Sequence, residues 1–216
     1  MIVTIDGPAG AGKSSVARKL AERLNFRFLD TGAMYRAVTL AAKRQQIDWR
    51  DTGALARISA DLDLDLADGR VLMDGEDVTR AIRTFEITTL TRHAADNLAV
   101  RERMVELQRT LAHGSNVVTE GRDQATVVFP DAQCKIYLTA SHEVRARRRY
   151  EDLLARGEQV TLEEVAENQL QRDRRDAERE FGGLQKASDS IEVGTDGMTT
   201  DEVLEHLESI VRERMS

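Results

Sequence analysis

The chain has 216 residues, of which 41% are hydrophobic and 32% are charged, and its formal net charge is -7. This length suits one core with insertions better than two independent domains. The net acidity argues against a continuous basic surface, so we expect no nucleic acid as a partner. The opening residues MIVTIDGPAG lack the basic start and apolar run of a signal peptide, and no window approaches the roughly 20 apolar residues of a membrane span. We therefore expect a cytoplasmic protein without a membrane partner.

The chain starts with a strand, a glycine-rich loop and a helix. The apolar run MIVTID precedes GPAGAGKS, and Val16, Leu20 and Leu24 then recur at the spacing of a helix face. FRFLD predicts a second strand, and TGAMYRAVTLAAKRQQ predicts a second helix. Alternation of short apolar strands with helices is typical of a parallel sheet.

An antiparallel insertion is predicted from Leu62 onwards. In LDLDLADGRVLMDGEDV the leucines alternate with a period of two, and Asp68-Gly69 suits a tight hairpin turn. Residues 85–112 return to a helical pattern. The runs NVVTEG and CKIYLTA then have the continuous apolar character of strands buried on both faces, and we expect Cys134 in the second to be a buried, unreactive thiol.

Two helices, a strand and a final helix complete the pattern. The first two helices are predicted at about residues 141–156 and 162–180, with Gly157 ending the first and a Thr161/Glu164 capping box starting the second. SIEVG predicts the last strand, and Thr199 opens the last helix. The order of elements predicts an α/β fold with a doubly wound parallel sheet and two insertions.

The segment GPAGAGKS matches the phosphate-loop pattern G-x-x-x-x-G-K-[ST] in the required setting between a strand and a helix. In such a loop, backbone N–H groups surround the phosphates, Lys13 reaches the β and γ phosphates, and the Ser14 hydroxyl binds Mg²⁺. The chain has no N-K-x-D guanine signature, which favours ATP over GTP. Ser14 is the predicted metal ligand. The predicted ATP-binding residues are Gly7, Pro8, Ala9, Gly10, Ala11, Gly12, Lys13, Ser14 and Ser15.

Charged and polar residues follow the second and third predicted strands, in LDTGAMYR and TEGRDQAT. Ligands of doubly wound sheets bind at the carboxyl ends of the strands. A phosphate acceptor is already anionic there, so it needs surrounding cations more than it needs a base. The residues that could face this edge are Asp30, Thr31, Tyr35, Arg36, Glu120, Arg122 and Asp123.

The stretch QRDRRDAER, residues 171–179, contains four arginines. If it is helical, one face carries Arg172, Arg175, Asp176 and Arg179. Arg145, Arg148 and Arg149 likewise share a side of the preceding helix. These residues could form weak ion pairs on a solvated surface, or belong to a lid that closes over the phosphates. The several cations that an ATP site requires favour the lid.

The motifs resemble those of the bacterial cytidylate kinases, a family of nucleoside monophosphate kinases. The chain contains, in that family's order and spacing, IDGPAGAGKSS, LDTGAMYR, GEDVTRAIRT, EGRDQATVVFPDA, IYLTAS and RARRRYEDL. The resemblance implies a P-loop kinase fold with a five-stranded parallel sheet flanked by helices, an enlarged monophosphate-binding insertion containing a small antiparallel sheet, and an arginine-rich helical lid. The implied segments are core at 1–34, 106–140 and 185–216, monophosphate-binding domain at 35–105, and lid at 141–184.

The resemblance also implies a reaction and residue roles. MgATP and CMP or dCMP would give ADP and CDP or dCDP, and Lys13, Arg148 and Arg179 would act on the transferring phosphoryl group as catalytic residues. A monomer is implied as well. The predicted acceptor-binding residues, which combine those near the strand ends with those matched to the family, are Asp30, Thr31, Tyr35, Arg36, Arg101, Arg122, Asp123, Arg172 and Asp176.

Two other functions stay open on the residues alone. One is a small-metabolite kinase that uses Asp30 as a base on a hydroxyl acceptor. The other is a regulatory or RNA-binding protein that binds ATP without transferring phosphate.

Two segments depart from the family pattern. EFGGL replaces a proline-containing lid segment. Where the family has a stretch like SQVA near the base, this chain has TRHAAD with Arg92. The choice among CMP, dCMP and UMP is therefore left open.

Overall fold

The computed structural model describes residues 1–67, 69–155 and 157–215. The strands are β1 (Ile2–Asp6), β2 (Arg27–Asp30), β3 (Leu64–Ala67), β4 (Arg70–Met73), β5 (Glu76–Asp77), β6 (Val117–Gly121), β7 (Cys134–Thr139) and β8 (Ile191–Gly194). The helices are α1 (Lys13–Leu24), α2 (Thr31–Arg44), α3 (Thr52–Asp61), α4 (Phe85–Ala95), α5 (Leu98–Ala112), α6 (His142–Ala155), α7 (Leu162–Glu178) and α8 (Thr200–Met215). None of these described helices is long and apolar enough to cross a membrane.

The chain forms two compact units, which we call unit 1 (Met1–Phe28 with Ser115–Ser216) and unit 2 (Leu29–Gly114). The five-stranded sheet has the order β2-β6-β1-β7-β8, with β2 crossing the boundary between the units. β1 pairs in parallel with β6 and β7, and β7 pairs in parallel with β8. The predicted fold class is therefore confirmed, whereas the division into core, monophosphate-binding and lid segments stays a prediction.

Unit 1 is held together by apolar side chains from the sheet and its helices. Ile5 and Ile136 on central strands are fully buried, and they form one cluster with Leu20 of α1 and Leu207 of α8. Ile5 and Ile136 are paired neighbours on β1 and β7, and residues two apart on a strand share a face, so this cluster covers one face of the sheet. Cys134 belongs to the same cluster, and burial raises its pKa to about 11, as expected for an unreactive thiol.

Unit 2 contains α2 to α5 and a three-stranded antiparallel sheet in the order β3-β4-β5. Leu64 pairs with Met73, which confirms the predicted hairpin, and β5 adds a strand that the sequence pattern did not predict. The predicted turn rests partly on Asp68, which lies outside the described residues, while its neighbour Gly69 has a φ of +74°. The helix α3 was also missed.

Two predicted helix boundaries need correction. Residues 85–112 form two helices, because Asn97 caps α5 through its side chain, which accepts a hydrogen bond from the N–H of Val100 at 3.1 Å. The arginine-rich α7 begins with the predicted Thr161/Glu164 capping box but ends at Glu178, since Arg179 has an extended backbone with φ -65° and ψ 124°. The predicted end of the first lid helix falls on Arg156, which lies outside the described residues.

Candidate active site

The phosphate loop joins β1 to α1 and depends on glycine at its first position. Gly7 has a φ of +147°, and a Cβ there would collide with the backbone carbonyl of Leu138 in β7. Gly12, the residue before the first turn of α1, has a left-handed φ of 89°. These conformations turn the chain sharply from the strand into the helix, so the predicted ATP-binding segment has the setting that phosphate binding requires.

Lys13 is the buried cation of this loop. It is 5% exposed, and its Nζ donates a hydrogen bond to the carbonyl oxygen of Pro8 at 2.7 Å. Burial, followed by the positive charge of Arg122, lowers the pKa of Lys13 to about 7, although the Glu120 carboxylate opposes this shift. A bound polyanion would offset both effects and favour the charged amine.

Ser14 and Glu120 come together at the carboxyl edge of the sheet. The Ser14 Oγ donates a hydrogen bond to the Glu120 Oε1 at 2.8 Å, and Glu120 is buried at the end of β6. A hydroxyl and a carboxylate are oxygen ligands of the kind that Mg²⁺ prefers. The pair therefore fits a magnesium site, and Glu120 is absent from the metal ligands predicted from the sequence. Its place near the carboxyl end of β6, the strand that neighbours β1, could have indicated it.

Asp6, the last residue of β1, has a role that the sequence analysis missed. Its two carboxylate oxygens accept hydrogen bonds from the backbone N–H groups of Gln124 at 3.0 Å and Ala125 at 2.7 Å. Burial raises the pKa of Asp6 to about 7, although these two hydrogen bonds oppose the shift. Asp6 thus fixes the start of the phosphate loop to the turn that follows Arg122 and Asp123.

Arg122 and two residues of the arginine-rich stretch form a largely buried charge cluster. The Asp176 carboxylate accepts hydrogen bonds from Arg122 Nε at 2.8 Å and from Arg179 Nη2 at 3.1 Å. Burial by itself would raise the pKa of Asp176, but Arg122 and Arg172 outweigh it and lower the pKa. The pKa of Arg172 is lowered to about 10 by desolvation of its guanidinium and by the positive charge of Arg122. Arg172 as a whole residue is nevertheless exposed. Positive charge is therefore concentrated around one carboxylate.

Two arginines of α6 bond to groups of the protein itself. Arg145 is buried and donates hydrogen bonds to the carbonyl of Ala9 at 2.9 Å and to the Asp173 carboxylate at 2.6 Å. Arg148 donates hydrogen bonds to Thr195, to its hydroxyl at 3.0 Å and its carbonyl at 2.9 Å. The lid that closes over the phosphates stays a prediction, as does the catalytic role of Arg148.

Unit 2 contains the remaining predicted acceptor residues. Asp30 caps α2 by accepting a hydrogen bond from the N–H of Ala33 at 2.9 Å, and its carboxylate also pairs with Arg36 at 3.3 Å. Arg101 is 4% exposed, and its guanidinium carbon lies 5.5 Å from the centroid of the Tyr35 ring. Thr31 is buried at the start of α2. The structure thus groups Asp30 with Arg36 and Tyr35 with Arg101.

Arg92, which departs from the family pattern, lines a cleft of about 320 Å³ in unit 2. The same cleft is lined by Trp49 and His93, whose rings stack with centroids 5.3 Å apart. Burial and the neighbouring Arg92 charge lower the pKa of His93, which favours a neutral imidazole.

Comparison with known proteins decides the family. A family model described as cytidylate kinase matches residues 3–213. The chain belongs to the cytidylate kinase family. A cytidylate kinase of Rhodopirellula baltica is 51% identical to it over 99% of this chain and 93% of its own length, and one of Geobacter is 48% identical over 100% and 94%. This member of the cytidylate kinase family is therefore a nucleoside monophosphate kinase, as the sequence motifs predicted.

Solved structures share the fold of this cytidylate kinase family member at low sequence identity. An uncharacterised protein from Eubacterium ventriosum has a TM-score of 0.53 at 14% identity and covers 97% of this chain and 96% of its own. A shikimate kinase from Bacteroides thetaiotaomicron has a TM-score of 0.50 at 13% identity, with 98% of each chain covered. At such identities the likeness concerns the fold alone.

Proposed function

We propose that this protein transfers the γ-phosphoryl group of MgATP to the 5′-phosphate of CMP or dCMP, giving ADP and CDP or dCDP. The observation that carries the proposal is the grouping of three cations, Lys13, Arg122 and Arg172, beside the phosphate loop. Arg122 and Arg172 both lower the pKa of Lys13, so three cations act on one another across unit 1. Such mutual repulsion is unfavourable in the free protein and becomes favourable when phosphates lie among the cations.

On the donor side, we assign the ATP phosphates to the phosphate loop, Gly7 to Ser15. Lys13 would exchange its bond to the Pro8 carbonyl for the phosphate oxygens. Ser14 and Glu120 would hold Mg²⁺, directly or through its water ligands. When bound, the metal supplies positive charge to the β and γ phosphates. The 2.8 Å contact between the two side chains supports this assignment.

On the acceptor side, the predicted residues include four arginines, and the reaction does not require a base. A phosphate monoester has a second pKa of about 6 and is therefore largely dianionic at neutral pH. In unit 1 we assign the acceptor to Arg122, Asp123, Arg172 and Asp176. In unit 2 we assign it to Asp30, Thr31, Tyr35, Arg36 and Arg101. The buried guanidinium of Arg101, held by the carbonyl of Ala95 at 3.1 Å, is a fixed positive charge that supports the assignment.

For the transfer itself, we assign Lys13, Arg148 and Arg179 to the moving phosphoryl group. The charge on its oxygens has to be balanced as the attacking and leaving oxygens align. Arg179 is held near Arg122 by their shared partner Asp176. Arg148 would first have to leave Thr195, so its role requires a rearrangement of α6 or of the side chain.

One assay tests the proposal and its alternatives. MgATP is supplied with CMP, dCMP, UMP, AMP or GMP, and ADP and new diphosphate are measured against ATP alone. We expect CMP or dCMP to give both products in equal amounts. ADP formation that ignores every monophosphate would refute the proposal, while salt-sensitive RNA binding without ADP formation would favour a regulatory protein. We also expect a monomeric, cytoplasmic enzyme, which gel filtration and cell fractionation would test.

A further inference from the structure

The carbonyl of Ala9, in the middle of the phosphate loop, is bonded by two side chains of the arginine-rich helices. Gln169 of α7 donates its Nε2–H to this oxygen at 2.8 Å, and Arg145 of α6 donates its Nη1–H at 2.9 Å. Both donors are buried, with exposures of 5% and 7%. A carbonyl oxygen has two lone pairs, so these two bonds use its full capacity as an acceptor.

The two donors belong to one connected group. Arg145 also pairs with Asp173, which lies one turn beyond Gln169 on α7 and therefore on the same face. The Gln169 amide packs directly on the phosphate loop, since a Cβ added to Gly10 would collide with it. The loop backbone is thus in contact with the helix pair at two successive residues, Ala9 and Gly10.

Gln169 is an unfavourable residue to bury unless its bond to the loop matters. Among the described residues, its Oε1 atom has no hydrogen-bond donor, so half of the amide is desolvated without a partner. An apolar side chain of similar size would fill the space without that penalty. What an apolar residue cannot do is donate a hydrogen bond to Ala9.

We propose that Gln169 is a positioning residue for ATP, which acts by holding the Ala9 carbonyl so that the loop N–H groups keep the arrangement that binds phosphates. About two turns beyond Gln169, the same helix carries Asp176, which holds Arg122. The position of α7 therefore sets both the phosphate loop and the cation cluster of unit 1. This inference rests on the proposed function, because it assigns the loop to ATP.

The test compares Gln169→Leu and Gln169→Met with the control Gln171→Leu. Gln171 lies on the same helix but is exposed, and its amide bonds only to the neighbouring Glu167 among the contacts of the described residues. We expect both changes at Gln169 to raise the KM for ATP and the dissociation constant of ATP about fivefold to twentyfold. The KM for CMP should change less than twofold, and hydrogen exchange at the loop amides should accelerate. The control should match wild type.

The outcomes are distinct. If Gln169→Met, which fills the space but cannot donate, matches wild type in ATP binding, the hydrogen bond is unimportant and the inference is wrong. An equal rise in the KM values of ATP and CMP would also overturn it, because it would indicate general loss of structure. Thermal unfolding of each variant identifies such a loss. A wild-type protein that forms no CDP or dCDP would instead refute the proposed function.

Discussion

Arg122 and Asp176, which lie 54 residues apart in the chain, form a nearly buried ion pair with a 2.8 Å hydrogen bond. The other carboxylate oxygen of Asp176 accepts a bond from Arg179. One carboxylate therefore holds guanidinium groups from the end of a central strand and from the end of α7. Without it, these like charges would repel one another in a weakly solvated place.

Asp176→Asn should lower stability in a pH-dependent way. The folded protein lowers the pKa of Asp176 below its ordinary 3.8, so the stabilisation is present above that pH and is lost as the pH falls through the folded value. We expect the variant to lose about 1–3 kcal/mol in free energy of unfolding at pH 7. Urea denaturation between pH 7 and pH 3 should show the difference from wild type shrinking below about pH 4. A difference that is the same at every pH would contradict the charge argument.

Lys13→Met should stabilise the free protein while abolishing kinase activity. The pKa of Lys13 is lowered to about 7 from 10.5, so folding is penalised while the amine is charged, and stability rises as the pH increases between these values. We expect the free energy of unfolding of Lys13→Met at pH 6 to exceed that of wild type by about 1–3 kcal/mol, after subtraction of the lost hydrogen bond to Pro8. Thermal unfolding should show this gain shrinking from pH 7 towards pH 10. A variant less stable than wild type at pH 6 would contradict the prediction.

Glu120→Gln should weaken the use of magnesium more than the binding of metal-free ATP. The amide can still accept the bond from Ser14, but the negative charge that favours a divalent cation is gone. We expect the Mg²⁺ concentration for half-maximal activity to rise about tenfold to a hundredfold. Glu205→Gln, an exposed change on α8, is the control and should not alter this concentration. An unchanged magnesium requirement in Glu120→Gln would place the metal elsewhere.

Arg179→Ala should lower kcat far more than ATP affinity. Its guanidinium is placed by Asp176 within the cation cluster, and arginines that stabilise a transferring phosphoryl group contribute about 10³-fold or more. Arg174→Ala, an exposed change on the same helix, should stay within about twofold of wild type, as is usual for a solvated surface charge. Steady-state kinetics and direct ATP binding check both variants. Equal losses in the two would contradict the assignment.

Gly7→Ala should destabilise the protein strongly, and Gly194→Ala should not. A Cβ at Gly7 would strike the backbone of β7, and its φ of +147° excludes most side chains. Gly194 has open space around it and no left-handed backbone. We expect a loss of about 3 kcal/mol or more at Gly7 and a change within about 0.5 kcal/mol at Gly194, measured by urea denaturation. Comparable effects at the two positions would contradict the packing argument.

Features set by neighbouring residues could be predicted from the sequence. The phosphate loop, the capping box at Thr161 and the hairpin between β3 and β4 depend on residues a few positions apart. The break at Asn97 was missed because an apolar stripe continues on both sides of it. The sequence predicted that α7 ends at residue 180, two residues after its observed end at Glu178. The helix ends earlier because the backbone of Arg179 is extended, and the side chain of Arg179 bonds to Asp176.

By itself, the sequence determined that this protein has a phosphate loop between a strand and a helix and that arginines are concentrated in residues 145–179, because local spacing encodes both. Only the tertiary structure decided which partner each charge meets. Arg145 bonds to Ala9, Arg148 bonds to Thr195, and Gln169 joins the loop from 160 residues away. Arg145 and Arg148 lie on the same helix and still reach different partners, because tertiary packing, including that of α6 against α7, sets the direction in which each side chain points.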